Sequence, residues 1–198
     1  MDSEQAIHGP QAAIEPDDVA LVRRTADGDR QAFGLLIQRH QRRVVALATR
    51  LLSSPERAED IAQEAFIRVF RSAARFEPRA RFSTWLYRIV VNLCNDERRR
   101  WRFRFARLFG DVPAAATAPA VETEETVVRV RSAVDALPDR QRTGLVLHRF
   151  EWLSCREVAE VTGFSESSVE SLLVRAYANL RKSLAELENP PPPQGSTG

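Results

Sequence analysis

Apolar residues along this chain recur at intervals of three and four, and no stretch alternates β-branched with polar residues. That spacing is the signature of amphipathic helices, so the sequence predicts an all-α protein. Phe82, Trp85, Leu86, Ile89, Val90, Leu93 and Cys94 stand at i, i+3, i+4, i+7, i+8, i+11 and i+12, a stripe about three turns long. The stretch before it, SSPERAEDIAQEAFIRVFRSAARF, opens with Ser54 as an N-cap and Pro55 at the first helical position, and its Ile61, Ala65, Phe66, Val69 and Phe70 form one apolar face. Later, Pro138 or Asp139 starts a helix, Ser154 and Glu157 form the S-x-x-E capping box of the next, and Gly163 suits a left-handed C-terminal residue. Ser165 then caps a last helix whose stripe is Val169, Leu173, Ala176, Leu180 and Leu184. Two helices around a short glycine-containing turn make a helix-turn-helix, a motif that serves either DNA binding or plain helix packing.

Breaks in this pattern divide the chain. Residues 108–126 are small, proline-containing and acidic, the composition of a flexible linker, and the proline-rich end, 188–198, predicts a disordered tail. Two small helical domains are left, one over 17–107 and one containing the helix-turn-helix over 127–187, with a flexible segment over 1–16 in front.

The off-stripe positions carry the candidate chemistry. Asp60, Gln63, Glu64, Arg68 and Arg71 give one helix a mixed polar face. Arg88, Asn92, Asn95 and Arg99 draw a second line along the next helix, and guanidinium and amide groups can donate to phosphates or read base edges. Before that helix, RFEPRA predicts an exposed loop beside the polar line. Trp85 and Phe82 sit among arginines, where aromatics either stack on bases or fill a core, and their periodicity favours the core.

Charge sharpens this picture. The net charge is only +2, yet residues 79–107 hold nine arginines against Asp96 and Glu97, a block that attracts polyanions. The segment 127–187 is nearly neutral, with nine basic and eight acidic residues. A 43% hydrophobic and 28% charged composition is that of a soluble globular protein. The absence of a spanning apolar run and of a signal peptide's basic start predicts a cytoplasmic protein with no membrane insertion. Cys94 and Cys155, far apart within helices, predict buried thiols. His8, His40 and His148 are scattered and no glycine-rich phosphate loop is present, so no enzyme, cofactor or metal is expected and no residue is assigned as catalytic.

Taken in order, AEDIAQEAFIRVFR, FSTWLYRIVVNLCNDERRR and ALPDRQRTGLVLHRFEWLSCREVAEVTGFSESSVESLLVRAYANLRKSL resemble a bacterial sigma factor of the extracytoplasmic-function class of the sigma-70 family. The resemblance implies a subunit that binds core RNA polymerase, directs it to promoters and helps open the duplex, typically in response to stress. It makes the first domain the region 2 that reads the minus-ten element and the second the region 4 that reads the minus-thirty-five element. Asp60, Gln63, Glu64 and Arg68 would dock on the polymerase, within contacts to its beta and beta-prime subunits. Arg75, Arg79 and Arg81 would receive a flipped-out base, with Trp85, Arg88, Asn92 and Arg99 along the separated strand. In the helix-turn-helix, Arg156, Ser168, Glu170, Ser171 and Arg175 would contact promoter DNA. VESLLVRAY has Glu170, Leu172, Val174 and Tyr177 where the family is usually basic, which predicts a shallow salt dependence of binding. The resemblance further implies an anti-sigma factor as partner. A helix-turn-helix regulator outside the polymerase remains the alternative; it accounts for the second domain but not the first.

Overall fold

The computed structural model describes residues 17–78, 81–109 and 125–188. Among the described residues there are eight α-helices and no strand: α1 (Asp17–Ala26), α2 (Arg30–Leu52), α3 (Pro55–Ser72), α4 (Phe82–Phe109), α5 (Glu125–Asp135), α6 (Asp139–Phe150), α7 (Cys155–Thr162) and α8 (Glu166–Glu188). The all-α expectation is met. The N-terminal segment and nearly all of the expected linker and tail fall outside the described residues, as does Arg79; α4 takes in Leu108 and Phe109, α5 starts at Glu125, and α8 ends at Glu188.

Local chemistry sets the helix ends. Gly28 takes φ +92° to turn the chain after α1, and Asp29 then caps α2 by accepting from the amides of Gln31 and Ala32. Ser54 caps α3 with Pro55 in the first turn, as the sequence predicts. The end of α3 tightens into a short 3-10 turn, Ala73–Arg75, which the sequence did not indicate. Ser154 and Glu157 complete the capping box of α7, which ends at Gly163 with φ +77°.

Helices α1–α4 wrap a dry core in which Leu36, Val44, Leu47, Ala58, Ala65, Val69, Leu86 and Val90 are wholly excluded from water. Within it, Phe82 lies edge-on to His40, whose Nε2 is 2.7 Å from Asp18 Oδ2, tying α1 to α2. Burial opposes the Asp18 charge, but the hydrogen bonds and charges of His40 and Arg39 outweigh it and hold the carboxyl below its ordinary value.

This core does not stop at the first module. Val146, Leu147, Leu153, Val158, Val161, Val169 and Leu173 belong to the same continuous cluster, because α6 packs on α2 and α7 on α4. A smaller cluster of Val134, Leu137, Leu145 and Ala176 joins α5, α6 and α8. The packing buries Tyr87 and Val91, which lie off the apolar stripe of α4.

Candidate functional site

The outward face of α3 presents Asp60, Gln63 and Arg68 to solvent, with Glu64 half-buried. Glu64 and Arg68 pair at 2.9 Å one turn apart, an exposed ion pair that contributes little stability and is free to exchange for a partner. Beside it runs an apolar groove of about 500 Å³ between α2 and α3, lined by Phe33, Ile37, Val45, Phe66 and Ile67 with Gln63 at its edge. The sequence stripe placed Phe70 inside; it is 42% exposed, its ring tilted by 54° to that of Phe33 with the centroids 5.0 Å apart. Ile67 is likewise 43% exposed. Contiguous exposed apolar surface rimmed by polar groups marks an interaction face. Phe33 and Ile37 were missed in sequence; their i, i+4 spacing was the available signal.

Arg75 ends the 3-10 turn and is exposed, and Arg81 stands just ahead of α4. Arg81 does not point into an empty loop: its Nη1 is 3.3 Å from Glu157 Oε1 on α7. Trp85 is half-buried, its ring centroid 5.2 Å from that of Phe76 and 5.9 Å from that of Phe82, so it belongs to a cluster of tilted aromatic rings and stays partly accessible. Arg88, Asn92, Asn95 and Arg99 are all exposed along α4, and Arg99 pairs with Asp96 at 2.5 Å. Of these, Asn92, Asn95 and Arg99 line a cleft of about 380 Å³ whose opposite wall is Asp139, Arg140, Thr143, Thr162 and Phe164.

Polar bridges fasten the seam between the two modules. Asp139 accepts from both Arg98 and Arg102, the latter at 2.6 Å. Arg142, 7% exposed, donates to the carbonyls of Leu51 and Asp135 and so clasps the end of α2. Burial, with Arg98 nearby, lowers the Arg142 guanidinium to about 10, which leaves it charged at neutral pH. Tyr87 donates to Glu151 at 2.9 Å, and Ser53 donates to Asp135. Burial pushes the Glu151 carboxyl above its ordinary value, against the Tyr87 hydrogen bond and the Arg50 and Arg43 charges. Arg142 and Glu151 carry no periodic signal and escaped the sequence reading, which took Asp139 only as a helix start. Cys94 is buried and its thiol is pushed up to about 12 by desolvation, while Cys155 is half-buried.

On the second module, Ser165 Oγ accepts the Ser168 amide at 3.2 Å and caps α8 as expected. Ser168, Ser171 and Arg175 come together on one open concave surface of about 540 Å³ with Ser165, Ser167, Phe164 and Leu172. Arg140 of α6 completes it, its guanidinium 5.2 Å over the Phe164 ring, and was not anticipated. Glu170 and Arg156 are exposed but do not line this surface. At the start of α7, burial first and then the Glu170 and Glu166 charges raise the Cys155 thiol, and Arg156 lies 3.5 Å from Glu160.

Among the described residues, no helix is long and apolar enough to cross a membrane.

Comparison with known proteins matches the chain in two segments. The Sigma-70 region 2 family matches residues 36–104, and the Sigma-70 region 4 family matches residues 128–180. An RNA polymerase sigma-H factor from Pseudomonas aeruginosa is 30% identical over 188 residues, covering 87% of this chain and 96% of the relative. The ECF RNA polymerase sigma factor SigM of Mycobacterium tuberculosis is 35% identical, covering 87% of each chain, and SigW of Bacillus subtilis is 32% identical, covering 84% of this chain and 96% of its own. Among solved structures, CnrH in complex with the cytosolic domain of CnrY superposes with a TM-score of 0.66 at 26% identity, covering 85% of this chain and 97% of CnrH.

Proposed function

The chain belongs to the sigma-70 family, in its extracytoplasmic-function class, and we propose that it works through the three surfaces just described, without catalytic residues of its own. It is an RNA polymerase sigma factor: it binds core polymerase, directs it to promoters and assists their opening. The observation that carries this reading is the presence in one chain, in order, of both family segments, over 36–104 and 128–180. An operator-binding regulator has no use for the first of them.

In this reading Asp60, Gln63, Glu64 and Arg68 meet the beta-prime side of the polymerase, and the adjoining groove with Phe33, Ile67 and Phe70 takes an apolar side chain from it. The exchangeable Glu64–Arg68 pair and the exposed apolar rim support that assignment. Region 4 contacts beta. Arg75, Arg79, Arg81, Arg88, Asn92 and Arg99 hold the nontemplate strand, and Trp85 offers one face of its ring to a base. Unpairing costs a few kcal/mol per base, and stacking on an aromatic recovers about 1–3 kcal/mol for each base captured. Ser168, Ser171 and Arg175, joined by Arg140, hold the upstream element, with Arg156 and Glu170 at the periphery of the contact. The protein acts in the cytoplasm with the polymerase, without cofactor. An anti-sigma factor regulates it, a role supported by the resemblance to CnrH, whose structure is that of a complex with the cytosolic domain of CnrY.

Binding to sigma-free core RNA polymerase tests the reading without knowledge of the promoter. Tight binding that a primary sigma factor competes away, and that the double change Asp60→Arg/Glu64→Arg abolishes, is expected. No binding by the folded chain would return it to the operator-binding class.

A further inference from the structure

A hollow of about 560 Å³ lies where α5 and α6 meet α2, and it shares no residue with the surfaces assigned above. Val134 and Val146, both buried, form its wall with Ala46, while Val130 and Phe150 flank it at 41% and 42% exposure. The polar groups of the lining are almost all spent on neighbours. Thr49 donates its hydroxyl to the Val45 carbonyl at 2.8 Å, Ser53 donates to Asp135, and Asp135 also lies 3.7 Å from Arg142. Arg50 sits 4.8 Å over the Phe150 ring and 3.5 Å from Glu151. Arg131 is the exception: it is exposed, and it makes no hydrogen bond or ion pair with another described residue.

An apolar hollow with a single unspent cation selects a ligand of one kind. Its body must be apolar, because the lining offers no free donor and a polar group buried there without a partner costs free energy. Its head must be a single anion, because one guanidinium is free to receive it. We propose that this hollow binds an amphipathic monocarboxylate, a medium-chain fatty acid, with the carboxylate on Arg131 and the tail against Val130, Val134, Val146 and Phe150. The volume falls within the roughly 300–1,000 Å³ of small-molecule pockets, which concentrate at junctions between domains. Covering Val130 and Phe150 supplies the hydrophobic drive, and the carboxylate fixes the orientation. Because α2 belongs to the first module and α5 and α6 to the second, the acid binds the joined arrangement alone and favours it by mass action. That makes it a regulator of the seam that needs neither polymerase nor DNA in order to bind.

The test is isothermal titration calorimetry of the full chain with sodium dodecanoate, kept below its micellar range. Saturable binding of one acid per chain is expected, and decanoate, two methylenes shorter, should bind about tenfold more weakly. Dodecylammonium, with the same tail and the opposite charge, should bind at least tenfold more weakly than dodecanoate. Val130→Glu sets a carboxylate at the mouth of the hollow and should abolish binding. Arg131→Gln, at an exposed position where folding is not at stake, should weaken dodecanoate about fivefold and leave dodecanol unchanged. Arg23→Gln removes the same charge from exposed α1 and should change neither. Hydrogen exchange in α5 and α6 should slow when the acid is present. Several results would overturn the proposal: no saturable binding, equal affinity for the acid and the ammonium, a Val130→Glu variant that is folded and still binds, or Arg131→Gln behaving as Arg23→Gln does. Self-association of the unliganded chain that Val130→Glu abolishes would assign the hollow to a second copy and overturn it likewise.

Discussion

The core of α1–α4 and the seam where α6 and α7 meet it are continuous, yet they are built differently. Within the first module the buried side chains are almost all apolar, and Asp18 and His40, its buried acid and imidazole, are paired with each other. At the seam a similar apolar centre, with Val146, Leu147 and Val158 beside Tyr87 and Val91, is ringed by Arg98, Arg102, Arg142, Glu151 and Asp139. Such ionic groups contribute little net stability, the buried ones because desolvation consumes most of their attraction and the exposed Arg102 because solvent screens it, but each needs a partner of opposite charge. The difference teaches that one contact is made to persist and the other to be specific and separable.

Breaking the first side of the comparison should have the largest effect. Leu47→Ala, at a position wholly excluded from water, should cost about 2–5 kcal/mol in chemical denaturation, and a loss below 1 kcal/mol would mean this core is not well packed. Arg142→Ala should come next. It deprives the carbonyls of Leu51 and Asp135 of a donor, at a cost of about 1–3 kcal/mol, and hydrogen exchange should quicken in α6 while α2 and α3 keep their protection. Equal loss across both modules would show the seam to be as integral as the core.

A pH series sharpens the contrast further. Glu151 has a raised carboxyl, so its ionised form opposes folding; that cost is fully present above its folded pKa and fades as pH falls towards the ordinary 4.5. Asp18 has the opposite sign, and its contribution holds until pH falls below the ordinary 3.8. Acidification from neutral towards 4.5 should therefore steady the seam without loosening the α1–α2 tie. Glu151→Gln should remove that pH response and leave the melting midpoint at neutral pH the same or higher. The smallest effect on stability belongs to Glu64→Ala, within about 0.5 kcal/mol, since its partner Arg68 is exposed; the same change should weaken polymerase binding.

The helices with caps and stripes were legible one at a time: Ser54 and Pro55 for α3, Ser154 and Glu157 for α7, Gly163 and Ser165 around the turn. Each is a local arrangement of a few residues, so its chemistry is complete within a short window. Phe70 was misplaced because a stripe records which residues share a face, not how far the neighbouring helix reaches across it. The concave surface on the second module was half legible, since Ser168, Ser171 and Arg175 share one helix face, whereas Arg140 arrives from α6.

What the sequence determined by itself, then, was the all-α class and the helix-turn-helix, written in short spacings, the basic block, written in composition, and the family, written in three motifs taken in order. Only the tertiary structure decided that Arg81, Arg98 and Arg102 meet carboxylates of the second module, that Tyr87 and Val91 are buried, and that Arg142 clasps α2. The partners in those bridges lie between 37 and 91 residues apart along the chain. No periodicity spans such a separation: helix spacing tells which way a side chain faces, and the packing of whole modules tells what it meets there.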